Sequence, residues 1–127
     1  MGITANTMKN VTLVLGASTN PNRYSNIAIK RLIDKKLPIA ALGLRKGTVG
    51  SVLIEDEKQD YTNIDTVTLY LNPKRQEAYY NYIIGLKPRR VIFNPGTENM
   101  EFVKLLNENN IEAEVACTLV LLSTNQY

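Results

Sequence analysis

The chain has 127 residues, 15 basic and 12 acidic, for a net charge of +3, and it contains no histidine. That length suits one domain with one sizeable core, and so small a surplus of charge falls short of the clustered basic excess of a nucleic-acid binder. With no histidine and a lone cysteine, Cys117, the commonest metal ligand and general base are missing, and no metal site is expected.

An unpaired Cys117 forms no internal disulfide, and the N-terminus lacks the order of a signal peptide, which together point to a reducing cytoplasm. The apolar run Thr118 to Leu122 is far short of the ~18 residues needed to span a bilayer, so no membrane association is expected. Residues 1–8 read as a disordered leader and 9–127 as the domain.

From Val11 to Gly16 the run VTLVLG is β-rich and almost continuously apolar, as in a central strand buried on both faces of a parallel sheet. The polar loop ASTNPNRY follows, and Ser25 or Asn26 can cap a helix carrying Ala28, Ile29, Leu32 and Ile33. Leu37 and Pro38 end that helix, and Ile39 to Leu44 reads as a second strand reaching Arg45 and Lys46. Between Gly47 and Asn63 the signal is weak, with Val52 to Ile54 as a short edge strand and no helix.

Strand character returns at Thr66 to Leu71, after which Asn72 and Pro73 open a helix with Tyr79, Tyr82, Ile83 and Leu86 on one face. Arg90 to Phe93 is the next strand. Asn94-Pro95-Gly96 then turns the chain into a helix with Phe102, Val103, Leu105 and Leu106, and Glu112 to Ala116 makes a last short strand. This alternation predicts an α/β fold: a Rossmann-like, doubly wound parallel sheet of about five strands with helices on both faces. Ligands of such folds sit beyond the carboxyl ends of the strands, where strand order reverses, so the loops after Gly16, Leu44, Leu71 and Phe93 should share one crevice.

The first of those loops offers a helix N-terminus, whose free N–H groups and dipole suit a phosphate. Gly16 permits close approach, Ser18, Asn20 and Ser25 add neutral donors, and Arg23 adds a charged fork. GASTNP lacks the second and third glycines of the dinucleotide fingerprint. The second strand ends in Arg45 and Lys46 where NAD binders usually carry an acid, and such a pair attracts the ribose phosphomonoester that NADP and coenzyme A share. Simple capping by Ser25 or Asn26 and solvated cations are the plain alternatives.

The run LGASTNPNRYSN, the strand ending GLRKG, VTLYLNP, FNPGTEN and the last strand reaching Cys117 resemble the stand-alone CoA-binding proteins over about residues 9 to 127. These are similar to the N-terminal CoA-binding domain of the succinyl-CoA synthetase α-subunit. The resemblance implies coenzyme A as ligand, with its diphosphate at Gly16, Ala17, Ser18, Pro21, Arg23 and Ser25. Its adenosine phosphate is implied near Lys46, and Asn72 and Pro73 in a strand-end loop facing the ligand. Leu42-Gly43-Leu44 departs from the Asn-Pro step common in the family, and the phosphohistidine chemistry of the synthetase has no residue here to carry it.

The leading function is therefore binding of CoA or an acyl-CoA without intrinsic catalysis. An NADP-dependent oxidoreductase, or a ligand-free interaction scaffold dimerising through the helices bearing Tyr80 or Met100, stand as alternatives. Glu98 and Glu101 read as dipole compensation on a first helical turn rather than as an acid–base pair. Cys117 reads as a packed thiol, with exchange against the CoA thiol as the other reading. A base-stacking role for Tyr79, Tyr80 and Tyr82 has little basic company.

Overall fold

A computed structural model describes residues 9–127, and the leader expected at residues 1–8 lies outside them. In chain order the elements are β1 (Val11–Ala17), α1 (Tyr24–Asp34), β2 (Ile39–Gly43), β3 (Gly47–Val49), β4 (Val52–Glu55), β5 (Ile64–Leu69) and α2 (Pro73–Gln76). A 3-10 turn (Glu77–Tyr79) leads to α3 (Tyr80–Leu86), β6 (Arg90–Phe93), α4 (Met100–Glu108), β7 (Glu112–Val115) and α5 (Thr118–Ser123). The strands form one sheet in the order β3-β4-β2-β1-β5-β6-β7. Every neighbouring pair is parallel except β3 with β4.

β1 is the central strand, and Thr12 to Leu15 are buried without a break because both faces of the sheet are covered. On one face Leu13, Leu15, Val67, Leu69 and Phe93 meet Ile83, Phe102 and Leu106 from α3 and α4. On the other, Val14, Ala41 and Ile54 meet Ile29 and Leu32 of α1 and Leu122 of α5.

The sheet has seven strands rather than about five, and the difference lies in the segment after β2. Gly47–Val49 and Val52–Glu55 form a hairpin turned at Gly50, which has φ +59°. β4 lies between β2 and β3 instead of at the edge. Strands of three and four residues are too short for alternation to declare itself.

Two helices also differ from expectation, the first in its start and the second in its continuity. α1 begins at Tyr24 with Arg23 as N-cap, and its cap position carries no side-chain hydrogen bond. Ser25 and Asn26 are drawn inward instead, the Asn26 Nδ2 donating to Ser18 O at 3.0 Å. The helix after Pro73 is interrupted by the 3-10 turn, because spacings of three and four residues do not separate 3-10 from α geometry.

Candidate anion-binding cleft

The strand order reverses between β1 and β5, since the chain leaves β1 toward β2 on one side and returns to β5 on the other. α1 rises from the end of β1 and packs on one face of the sheet, while the α2–α3 segment follows β5 on the opposite face. The two helix starts therefore stand apart across the ends of β1 and β5, and a cleft of about 770 Å³ opens between them. That volume suits a cofactor-sized ligand.

Its floor is the end of β1. Gly16 forms a bulge, with Leu15 opposite Leu42 and Ala17 opposite Gly43, and takes φ +95°. A Cβ there would lie 2.9 Å from Tyr70 C, so glycine is demanded by the neighbouring strand end itself, whatever else approaches it. At Gly43 a Cβ would meet Ala17 O at 2.2 Å. Glycine at position 43 thus lets β2 close tightly on the end of β1.

The loop above is shaped by its own side chains: Ser18 Oγ accepts from Asn20 N–H and Asn20 Oδ1 accepts from Asn22 N–H, both at 3.0 Å. Arg23 N–H is satisfied by Asn20 O. The amides of Tyr24 and Ser25 have no acceptor among the described residues, and they open the positive end of an 11-residue helix beside the cleft.

Of the residues singled out in the sequence, Gly16, Ala17, Ser18, Asn20, Arg23, Ser25, Arg45 and Asn72 line this cleft together. Pro21 and Lys46 are exposed just outside the lining, and Pro73 is the first residue of α2, behind its cap Asn72. Pro95, Gly96 and Thr97, in the loop after Phe93 that was expected to face the crevice, form the far wall. Sequence reasoning missed Thr19, Tyr24, Leu44, Tyr70, Leu71 and Arg75. Arg75 is the third residue of α2, and its backbone N–H donates to the cap Asn72 Oδ1 at 2.9 Å.

The lining holds three arginines, Arg23, Arg45 and Arg75, and no acid. No carboxylate of the described residues lies within 4.0 Å of any of them, the ion pairs being Arg89–Asp65 and Arg90–Glu114. Tyr24 and Leu44, 71% and 73% exposed, give the rim an apolar surface that a ligand could cover.

The far wall is fixed by a buried amide. Gln76 Nε2 donates to Leu71 O and Thr97 O, each at 2.8 Å, and its Oε1 accepts from Asn99 Nδ2 at 3.0 Å. A second buried amide, Asn94, donates to Thr68 Oγ1 and Leu69 O and accepts from Thr118 N–H. Burial pushes the Tyr70 phenol up to about 12, against the opposing pull of the Thr68 and Thr118 hydroxyls. Glu98 accepts from Gly96 N–H and Glu101 from the Tyr80 hydroxyl, so both carboxylates are engaged structurally. Tyr80 itself stacks on Phe102 at 4.3 Å, and the Tyr82 hydroxyl donates to Gln59 O, which accounts for both rings by packing. Cys117 is half-buried at the N-cap of α5 and lies outside the lining.

A second groove, of about 510 Å³, lies beside β2 and β4 and gathers none of the candidate residues. Among the described residues no helix is long and apolar enough to cross a membrane.

Residues 10–123 match the family described as CoA binding domain. The chain belongs to that family. Among solved structures, the crystal structure of an uncharacterized protein is 46% identical to this CoA-binding domain, covering 94% of this chain and 98% of that one with a TM-score of 0.90. A hypothetical protein from Pyrococcus horikoshii is 24% identical over 94% of this chain and 84% of its own, at a TM-score of 0.79. A protein from Thermus thermophilus is 16% identical, over 94% and 91%, at 0.82. The last two likenesses speak for the fold alone. No curated protein matches the sequence of this domain.

Proposed function

We propose that the cleft binds coenzyme A or an acyl-CoA and that the protein acts as a binding module without turnover of its own. The observation that carries this reading is the start of α1, where two backbone amides with no acceptor among the described residues open into a cleft that Arg23 and Arg45 also line and that holds no acid. The diphosphate would lie on Gly16–Ser18 and the Tyr24 and Ser25 amides, with Arg23 as charged donor. The adenosine phosphomonoester would meet Arg45, and Leu44 and Tyr24 would cover the base. The pantetheine arm would then run over the ends of β5 and β6 toward Tyr70, Leu71 and Thr97. Absence of turnover is supported by the engagement of Glu98 and Glu101 in structural hydrogen bonds, which leaves neither carboxylate free as a general base.

The test is titration calorimetry of one purified sample with CoA, dephospho-CoA, NADP and NAD. CoA is expected to bind more tightly than dephospho-CoA by about tenfold, the effect of one partly exposed charged contact. Arg45→Ala should close that gap. Tighter binding of NADP than of CoA would instead favour the dinucleotide reading, and equal affinities for CoA and dephospho-CoA would remove Arg45 from the site.

A further inference from the structure

The proposed seating of CoA uses the α1 amides, Arg23 and Arg45, and leaves Arg75 without a phosphate. Arg75 lies on the opposite wall, on α2, beside Asn72 and near the Pro95–Thr97 loop toward which the pantetheine arm runs. Its backbone is held on both sides. Its own N–H reaches Asn72 Oδ1, and the next residue, Gln76, is fully buried and tied to Leu71 O and Thr97 O. Its exposed guanidinium forms no ion pair among the described residues, which leaves the fork open to a planar anion in the cleft. The nearest acid of the Pro95–Thr97 wall, Glu98, is turned back onto Gly96 N–H and forms no ion pair with Arg75.

We infer that Arg75 makes the cleft selective for acyl-CoA thioesters whose acyl group ends in a carboxylate. The inference rests on the CoA reading above. The thioester end of the cleft then presents a charged fork that matches a carboxylate in two parallel hydrogen bonds, and a neutral acyl chain of the same length leaves that fork to water.

The experiment compares matched pairs on the full chain by calorimetry: malonyl-CoA with propionyl-CoA, and glutaryl-CoA with pentanoyl-CoA, beside CoA itself. At least one carboxylated member is expected to bind about five- to tenfold more tightly than its neutral partner. Arg75→Gln should abolish that preference while CoA affinity changes by less than about twofold, and Arg75→Lys should restore part of it. Equal binding within both pairs overturns the inference while CoA binding stands. A uniform loss for all five ligands in Arg75→Gln, at an unchanged melting temperature, also overturns it and assigns Arg75 to the diphosphate. Failure of CoA to bind at all overturns the CoA reading and this inference together.

Discussion

Gln76 is the internal bolt of the cleft, and removing its side chain should cost both stability and ligand affinity. The side chain is fully buried and makes three hydrogen bonds, to Leu71 O, to Thr97 O and from Asn99 Nδ2. A neutral hydrogen bond contributes ~1 kcal/mol net, so Gln76→Ala should lose ~3 kcal/mol. Leu71 and Thr97 are themselves 9% and 5% exposed, so water cannot easily replace the amide at their carbonyls. Asn99 loses less, because its Nδ2 also donates to the Tyr80 hydroxyl at 2.7 Å. Against a typical domain stability of ~5–15 kcal/mol this is a large fraction, equivalent to a fall in Tm of about 10–15 °C for a chain of this size. Gln76→Glu should be at least as damaging at neutral pH, since it sets a carboxylate oxygen against two carbonyls. The assay is urea denaturation followed by far-UV circular dichroism, with the m-value checked for constancy. A loss below about 1 kcal/mol, or a Gln76→Glu variant as stable as the parent, would refute the assignment of these bonds as the tie between the two loops.

Arg23→Ala should weaken CoA binding by about tenfold while the circular dichroism spectrum stays native, because Arg23 is exposed and its loss leaves the fold untouched; unchanged affinity would place the diphosphate elsewhere. Gly43→Ala should destabilise by ~2 kcal/mol or more, since its Cβ would meet backbone at 2.2 Å, whereas Gly85→Ala in α3, with nothing within 4 Å, should stabilise by up to ~0.5 kcal/mol; reversed signs in thermal melts would contradict the packing described. In alkali, Tyr70 and Tyr61 are both raised by burial to about 12 in the folded state, so their contribution to stability is fully present below about 10 and is lost as pH rises toward 12. Tyr70→Phe should flatten that loss in denaturation curves measured from pH 8 to 12, and an unchanged slope would show that Tyr70 ionises freely in the native state.

The α/β class, the central position of β1, the switch point at which the cleft opens and eight of the residues that line it were legible in the chain itself. A doubly buried strand is a continuous apolar run, and a right-handed crossover obliges the loops after β1, β2, β5 and β6 to face one crevice. The hairpin of β3 and β4 was not legible as such, because its strands are too short for a period to be read and their order depends on β4 pairing with β2. The start of α1 was misread for a related reason. Ser25 and Asn26 are good capping residues in isolation, and only the burial of Asn26 against Ser18 O moves the helix start to Tyr24 and leaves the two amides free. Gly16 looked like a residue chosen for a ligand, and the fold places the backbone of Tyr70 where its side chain would be. Arg75 and Thr97 belong to the cleft because one buried amide, Gln76, ties the loop after β5 to the loop after β6. Local propensity and pattern are properties of neighbours along the chain, whereas that tie joins residues 21 apart, and only the packed sheet brings them within reach of one hydrogen bond.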